Sequence, residues 1–358
     1  MIDVDSLIDR LTEFTPSATP FTSVYLDTRP DEHGHDRFGP FVRKELGARA
    51  RTFPERSQAR ALFERDAARI LGYLDANARP SSNGIAIFAC AGANDFFEAV
   101  QLEVPIEESE VYVGDAPHVY PLARLSDRYK RYAVVLTDTH LARIFVIGLG
   151  RIEATGSVES VKTNRTMVGG WSQARYQRHV ENYHLQHVKE VVDALDRVVR
   201  EEAITHVVLA GDEVVLPLIR AQMPKHLEAR VADVLRMEVT TPDAEVLRQT
   251  LEAMRAQDAR DDADRVRRMF DAYRSGGLGV VGVAATRGAL DNGQVHELLL
   301  SATPPPNARE DWPAIADELV TKARQTSATV TMIEDPALMA EADGVGGLLR
   351  YRIGRRAA

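Results

Sequence analysis

The sequence contains a single cysteine, Cys90, among its 358 residues. One cysteine excludes a disulfide-stapled fold and a zinc site built from several thiolates, and it is typical of a reducing compartment. Long hydrophobic runs are also absent, because the longest, at residues 276–286, is far shorter than the roughly 20 residues of a membrane-spanning helix. The first eleven residues carry acids where a secretory signal carries bases. We therefore expect a cytoplasmic protein that makes no contact with membranes.

Positive charge is in deficit over the chain as a whole. There are 53 acidic and 44 basic residues, which gives a formal net charge of −9 and disfavours a protein that coats nucleic acid without specificity. One stretch departs from this balance. Between Glu159 and Glu181 there is no acidic residue, whereas there are four basic ones: Lys162, Arg165, Arg175 and Arg178. A local concentration of this kind suits the phosphates of an RNA partner.

Hydrophobic periodicity divides the chain into three segments, 1–128, 129–276 and 277–358, each of which mixes strands with helices. The predicted strands are 23–28, 84–89, 132–136, 142–147, 151–161, 205–210, 294–300 and 328–333. The predicted helices are 54–76, a long one that follows Trp171, two that begin near Pro217 and Asp243, and 312–324. This alternation indicates an α/β protein.

The start of the long central helix carries the candidate chemistry. Gly169 and Gly170 allow backbone angles that other residues avoid, and Ser172 is a good N-cap. Gln173 then falls in the first helical turn, where free backbone N–H groups favour a phosphate or a developing oxyanion. One polar face follows at spacings of three and four residues: Arg175, Arg178, His179, Asn182 and Gln186. An ordinary glycine turn before a solvated basic helix would produce the same pattern.

The run GGWSQARYQRHVENYHLQHVKEV resembles the central-domain segment of the archaeal–eukaryotic class-one peptide release factors. In that family a Gly-Gly-Gln tip is followed by a serine, an Arg-aromatic pair and a long helix, and five residues here fall on those positions: Gly169, Gly170, Ser172, Arg175 and Tyr176. A second resemblance lies in residues 271–300 together with DGVGGLLRYRI at 343–353, which are similar to the third domain of these factors and of Pelota. The likeness covers about residues 130–353 and is strongest to the bacterial members of this superfamily.

The resemblance implies a three-domain release-factor-like architecture. Its central domain would be RNase H-like, and its C-terminal domain would be an α/β/α sandwich of the kink-turn-binding ribosomal protein type. It also implies a translation factor that enters the ribosomal A site and promotes hydrolysis of the peptidyl-tRNA ester at the peptidyl-transferase centre. The third domain would meet a translational GTPase or the base of the ribosome. Stop-codon reading is not implied, because the first segment lacks the Asn-Ile-Lys-Ser motif.

The candidate site follows from the same resemblance. Gly169, Gly170 and Gln173 are the predicted catalytic residues. The predicted RNA-binding residues are Lys162, Arg165, Trp171, Arg175, Arg178 and His179. Because Trp171 occupies the glutamine position of Gly-Gly-Gln and Gln173 lies two residues further on, a second interpretation stays open. In it, the protein is a non-catalytic hibernation factor whose indole stacks on RNA in the A site.

A third interpretation is a tRNA-cleaving nuclease. Asp138, Asp212 and Glu213 follow predicted strands of the central segment, where paired carboxylates could hold Mg²⁺. Strand-end acids that cap helices would explain them equally well. No resident metal or cofactor is predicted: His179, His184 and His187 lack a fourth ligand, and they read as a solvated or RNA-facing set.

Overall fold

The computed structural model describes residues 4–16, 18–33, 36–78, 82–159, 173–305 and 312–352. Within these ranges the strands are β1 (Phe21–Asp27), β2 (Gly84–Cys90), β3 (Phe96–Leu102), β4 (Glu110–Gly114), β5 (Tyr132–Thr137), β6 (Leu141–Gly148), β7 (Arg151–Glu159), β8 (His206–Gly211), β9 (Val231–Arg236), β10 (Gly279–Val281), β11 (Val295–Ser301), β12 (Thr329–Ile333) and β13 (Val345–Leu349). The helices are α1 (Val4–Thr12), α2 (Phe38–Ala50), α3 (Gln58–Asn77), α4 (Tyr120–Arg128), α5 (Gln173–Glu201), α6 (Val215–Gln222), α7 (Lys225–Glu228), α8 (Asp243–Arg274), α9 (Val283–Asp291) and α10 (Trp312–Gln325), with a 3₁₀ segment at Pro336–Ala342.

The chain forms two compact units, one of residues 1–128 with 259–358 and the other of residues 129–258. Helix α8 begins in the second unit and ends in the first. The division into three domains at residues 128 and 276 stays a prediction. In the part of the chain that the structure describes, no helix is long and apolar enough to cross a membrane.

The first sheet has the strand order β3-β2-β1-β4, and every neighbouring pair in it is antiparallel. Helices α2 and α3 pack on the apolar side chains that these strands share, including Val24, Ile85 and Ile87. The predicted helix 54–76 begins at Gln58 because the Ser57 side chain caps it by accepting the N–H of Arg60.

The sheet formed by the C-terminal strands has the order β10-β13-β11-β12, in which only β11 and β12 are parallel. The second half of helix α8 packs on it through Val266 and Met269, which are buried beside Leu299 and Ile333. A Cβ atom at Gly346 would overlap the Met269 sulfur, so the glycine pair of the closing motif lets this helix approach the sheet.

A buried cap joins residues 1–128 to residues 259–352. Asp317 of α10 accepts the backbone N–H groups of Val119 and Tyr120 at 2.8 and 2.9 Å, at the start of α4. The Tyr120 hydroxyl donates to the carbonyl of Ser301 at 2.8 Å. Helix α4 is therefore capped by a residue almost two hundred positions away in sequence.

His118 completes this junction. Its side chain is buried, with Nδ1 2.5 Å from the Asp317 carboxylate and Nε2 3.5 Å from Glu110. Burial alone would lower the pKa of His118, but its hydrogen bonds to Asp317 and Glu110 outweigh that effect and raise the pKa to about 9. The Tyr112 ring stacks on the imidazole with ring centroids 4.5 Å apart. The junction thus contains a buried imidazolium at neutral pH.

The sheet of the second unit has the strand order β7-β6-β5-β8-β9. Strands β5, β8 and β9 are parallel, whereas β6 is antiparallel to both of its neighbours. Helices α5 and α6 cover one face and the first half of α8 covers the other. The α/β class predicted from the sequence is confirmed.

Candidate functional site

The predicted glycine loop joins the edge strand β7 to helix α5. Lys162, Arg165, Gly169, Gly170 and Trp171 lie outside the described residues. The backbone of α5 begins at Gln173, which places that residue in the first turn. The backbone positions of Arg175, Arg178 and His179 follow in the first two turns, and their side chains, with that of Gln173, lie outside the described residues.

The two ends of this loop have defined places in the sheet. Strand β7 ends at Glu159, which is paired with Leu141 at the start of β6. Leu141 closes the turn between β5 and β6, so the loop leaves the sheet beside that turn. Further along α5, the chain is held by Val188, Val191 and Leu195, which are buried against the sheet. The loop therefore follows the edge strand β7 and precedes a helix whose later turns are packed against the sheet.

One of the helix histidines contradicts its predicted environment. His187 is only 1% exposed, so the interpretation of this residue as solvated or RNA-facing is wrong. The helical spacing placed it on a face with His184, but the turn between β5 and β6 covers it. His184 is half-buried and lies edge-on to His140 of that turn, with ring centroids 6.0 Å apart.

The three strand-end acids all have partners within the chain, and two of them accept backbone N–H groups. Asp138 accepts the N–H groups of His140 and Leu141 at 2.7 and 2.8 Å, and so fixes the turn between β5 and β6. Asp212 accepts the N–H groups of Val214 and Val215 at 2.9 and 2.8 Å. Glu213 is paired with Arg236.

These contacts bear on the nuclease interpretation. Among the described residues, no group of three or more His, Cys, Asp or Glu side chains could hold a metal ion. Asp212 therefore fits the capping interpretation, whereas Asp138 orders a turn between strands and Glu213 forms an ion pair. A two-metal nuclease has no support from the described part of the chain.

A basic surface on the first sheet's helices was not singled out by sequence reasoning. Six basic and two acidic residues occur between Arg43 and Arg60, at the end of α2, in the following loop and at the start of α3. Four of them are exposed and have no ion pair within the described ranges: Lys44, Arg49, Arg51 and Arg56. We call these four residues the α2–α3 basic surface. By contrast, Arg43 and Arg60 are neutralised by Asp75 and Glu64. The excess of basic over acidic residues between Arg43 and Arg60 is the sequence signal that predicts this surface.

Because no carboxylate of the described chain pairs with these four exposed cations, they give this surface a positive potential. Arg56 also has a φ angle of 60°, a left-handed conformation that is uncommon for a residue other than glycine. Side chains that hold no internal carboxylate are free to contact an external anion without a competing partner. The α2–α3 basic surface is thus suited to polyanion binding.

Comparison with known proteins finds similarity to release factors. Residues 117–255 match bacterial archaeo-eukaryotic release factor family 10. Over 245 residues the chain is 26% identical to peptide chain release factor subunit 1 of Aeropyrum pernix, and the match covers 62% of this chain and 61% of that relative. The chain therefore spans about three fifths of the curated relative that it matches.

The solved structures that the chain matches include an archaeal translation termination factor, a termination-like factor of yeast and an archaeal Pelota. The crystal structure of aRF1 is 18% identical, with 97% of both chains covered and a TM-score of 0.28. Dom34 of S. cerevisiae is 10% identical, with 76% of this chain and 87% of that one covered and a TM-score of 0.45. Ribosome-bound archaeal Pelota is 13% identical, with 98% and 95% covered and a TM-score of 0.46.

Proposed function

We propose that the chain is a release-factor/Pelota-like translation factor that binds the ribosomal A site and acts in peptide release or rescue. The observation that carries the proposal is the family match over residues 117–255, which includes the complete loop and helix of the candidate site. The matching relative is a peptide chain release factor subunit. In this proposal the C-terminal sheet contacts a translational GTPase or the base of the ribosome.

Charge supports a ribosomal partner. The chain has a net charge of −9, yet it keeps two local concentrations of positive charge, the segment from Lys162 to Arg178 and the α2–α3 basic surface. Phosphate contacts supply most of the affinity of proteins for RNA, and local cations supply them whatever the charge of the whole chain. Two separate basic regions suit a large RNA better than a small nucleotide ligand.

The proposed chemistry is attack of water on the peptidyl-tRNA ester. Gly169 and Gly170 would let the loop bend beside the ester, and the first turn of α5 would offer backbone N–H donors to the oxyanion. One such donor is worth about 3 kcal/mol of transition-state stabilisation, which raises the rate without an acid–base pair in the protein. Gln173 would supply the amide side chain that orients the water or the ester.

A specific sequence observation favours the second candidate, a hibernation factor without catalysis. Trp171 directly follows the glycine pair, and an indole cannot accept a hydrogen bond from water. Stacking of an aromatic side chain on a base is worth about 1–3 kcal/mol, so Trp171 could hold the loop in an idle A site. Both candidates require ribosome binding, and they differ only in hydrolysis.

The ribosome-binding part of the proposal has a direct test. In a pelleting assay with vacant ribosomes, Lys44→Glu, Arg49→Glu and Arg51→Glu together should weaken binding by tenfold or more and reduce the salt dependence by about one slope unit per lost phosphate contact. The control carries the same change in charge on exposed residues of the second unit: Arg197→Glu, Arg220→Glu and Lys225→Glu. Equal losses in both variants, or no loss in either, would remove this surface from the proposal.

A further inference from the structure

His187 is a buried histidine without a hydrogen-bond partner. It lies on α5 with 1% of its surface exposed, and neither ring nitrogen is within hydrogen-bonding geometry of another polar atom in the described part of the chain. The backbone at Leu141 lies beside the ring. The carbonyl oxygen of Leu141 already accepts the Asp138 N–H at 3.0 Å and the Thr137 hydroxyl at 3.1 Å. The Thr137 hydroxyl also lies 3.0 Å from the carbonyl of Asp138, so the Leu141 carbonyl is partly engaged rather than saturated.

The Leu141 carbonyl favours a second proton on this ring, but its effect on the pKa is smaller than that of burial. The neutral imidazole already leaves one N–H and one lone pair unsatisfied, and an imidazolium would leave two N–H groups and a charge in the same apolar contact. An apolar side chain would fill the position without this cost. Packing of α5 on the turn between β5 and β6 thus favours the neutral form of His187.

The groups that face His187 come from two elements. The turn supplies Asp138 and His140, and α5 itself supplies Glu190. His184, also on α5, contacts the ring of His140. Burial is the largest effect and lowers the pKa of His187, whereas the charge of Asp138 works in the opposite direction. Asp138 stabilises the charged form of His187 only in part, because one of its oxygens already accepts two N–H groups of the turn. Glu190 is engaged by the Gln186 amide at 2.8 Å.

We propose that His187 is an acid-sensitive anchor, which holds α5 on the turn between β5 and β6 while the ring is neutral and releases it on protonation. The pKa of a released ring returns to the ordinary value of 6.5, above that of the anchored ring. The released form therefore binds the proton more readily, and the anchored form loses stability as the pH falls below about 6.5. Since α5 begins at Gln173, release would free the helix that follows the glycine loop. That consequence rests on the proposed function, whereas the acid response itself does not.

The test is hydrogen–deuterium exchange on the full chain without ribosomes, at pH 7.5 and pH 5.5, with intrinsic exchange rates removed. Amide protection over residues 184–192 should fall at pH 5.5 by up to about tenfold, the limit for one proton taken up one unit below pH 6.5. In His187→Leu protection should be equal at both pH values. The matched control, His184→Gln, removes a half-buried histidine from the same helix and should keep the acid response.

Two outcomes would overturn the anchor. One is acid-induced loss of protection in His187→Leu equal to that of the wild type, and the other is unchanged protection in the wild type. If the leucine variant does not fold, the wild-type protein still decides the matter, because the ring nitrogen shifts of His187 can be titrated by NMR. A pKa at or above 6.5 would refute the proposal, and a pKa below 6.5 would support it. Ribosome binding is measured separately, so failure of the anchor leaves the proposed function intact.

Discussion

Replacement of Asp317 by asparagine should destabilise the first unit in a strongly pH-dependent way. An asparagine oxygen can still accept the N–H groups of Val119 and Tyr120, so the cap on α4 is kept while the charge is removed. What is lost is the partner of the buried imidazolium of His118, which lies 2.5 Å from the carboxylate. The substitution therefore isolates the electrostatic contribution of the pair.

The magnitude follows from the pKa of His118. Its rise from 6.5 to about 9 corresponds to about 3 kcal/mol, since one pKa unit is worth about 1.4 kcal/mol. Loss of one partner from a buried ion pair typically costs about 3–5 kcal/mol, which agrees. A raised histidine pKa stabilises the folded state fully below pH 6.5, and this stabilisation is lost as the pH rises through about 9. Glu110 supplies part of this rise and burial raises the pKa of Asp317 itself, so the wild type should lose at most about 3 kcal/mol over this window relative to Asp317→Asn.

The assay is denaturant unfolding followed by the fluorescence of Trp312, which is buried on the same helix as Asp317. A Trp171→Phe background makes Trp312 the sole tryptophan. At pH 6 the Asp317→Asn variant should be about 1–3 kcal/mol less stable than its parent, and at pH 10 the difference should nearly vanish. His296→Gln, on an exposed position of the C-terminal sheet, should stay within about 0.5 kcal/mol. A difference below about 1 kcal/mol at pH 6, or an equal difference at both pH values, refutes the charged pair.

Two further predictions concern other parts of the chain. Charge reversal at Arg165, Arg175 and Arg178 should weaken ribosome binding and lower its salt dependence by about one slope unit per lost phosphate contact, and unchanged affinity in a pelleting assay would discard the RNA-binding role of this segment. Asp66 is buried with one carboxylate oxygen unpartnered in the described part of the chain, and burial raises its pKa to about 6. The folded state therefore loses stability as the pH rises from 3.8 to about 6. Asp66→Asn should stabilise the protein by about 1–2 kcal/mol at pH 7.5 in thermal or denaturant unfolding, and a destabilised variant would contradict this assignment.

The parts of the fold that could be predicted are those with strong local patterns. The continuous apolar run at residues 84–89 became β2, and the valine spacing from Val188 to Val199 became the buried face of α5. Strand β7 was predicted to reach residue 161; it ends at Glu159, and the following residues lie outside those described. The resemblance to the release factors was also predicted correctly, because the glycine-pair segment, which lies within the matched residues 117–255, is distinctive.

The parts that were missed depend on distant residues. Helix α4 has only nine residues and takes its N-terminal cap from Asp317, which no local pattern reveals. The charge of His118 depends on the same contact. Helix α2 was not predicted either, since its apolar residues are too few to mark one face clearly. The burial of His187 required the turn between β5 and β6, which is distant in sequence from α5.

Peptidyl-tRNA hydrolysis on ribosomes with an empty A site tests the central claim most directly. The wild type should release the peptide, Gln173→Ala should abolish release while ribosome binding persists, and Trp171→Ala should keep release because the indole is not the reacting group. No release by the wild type, together with ribosome binding that collapses in Trp171→Ala, would contradict a release or rescue factor and establish the non-catalytic occupant of the A site.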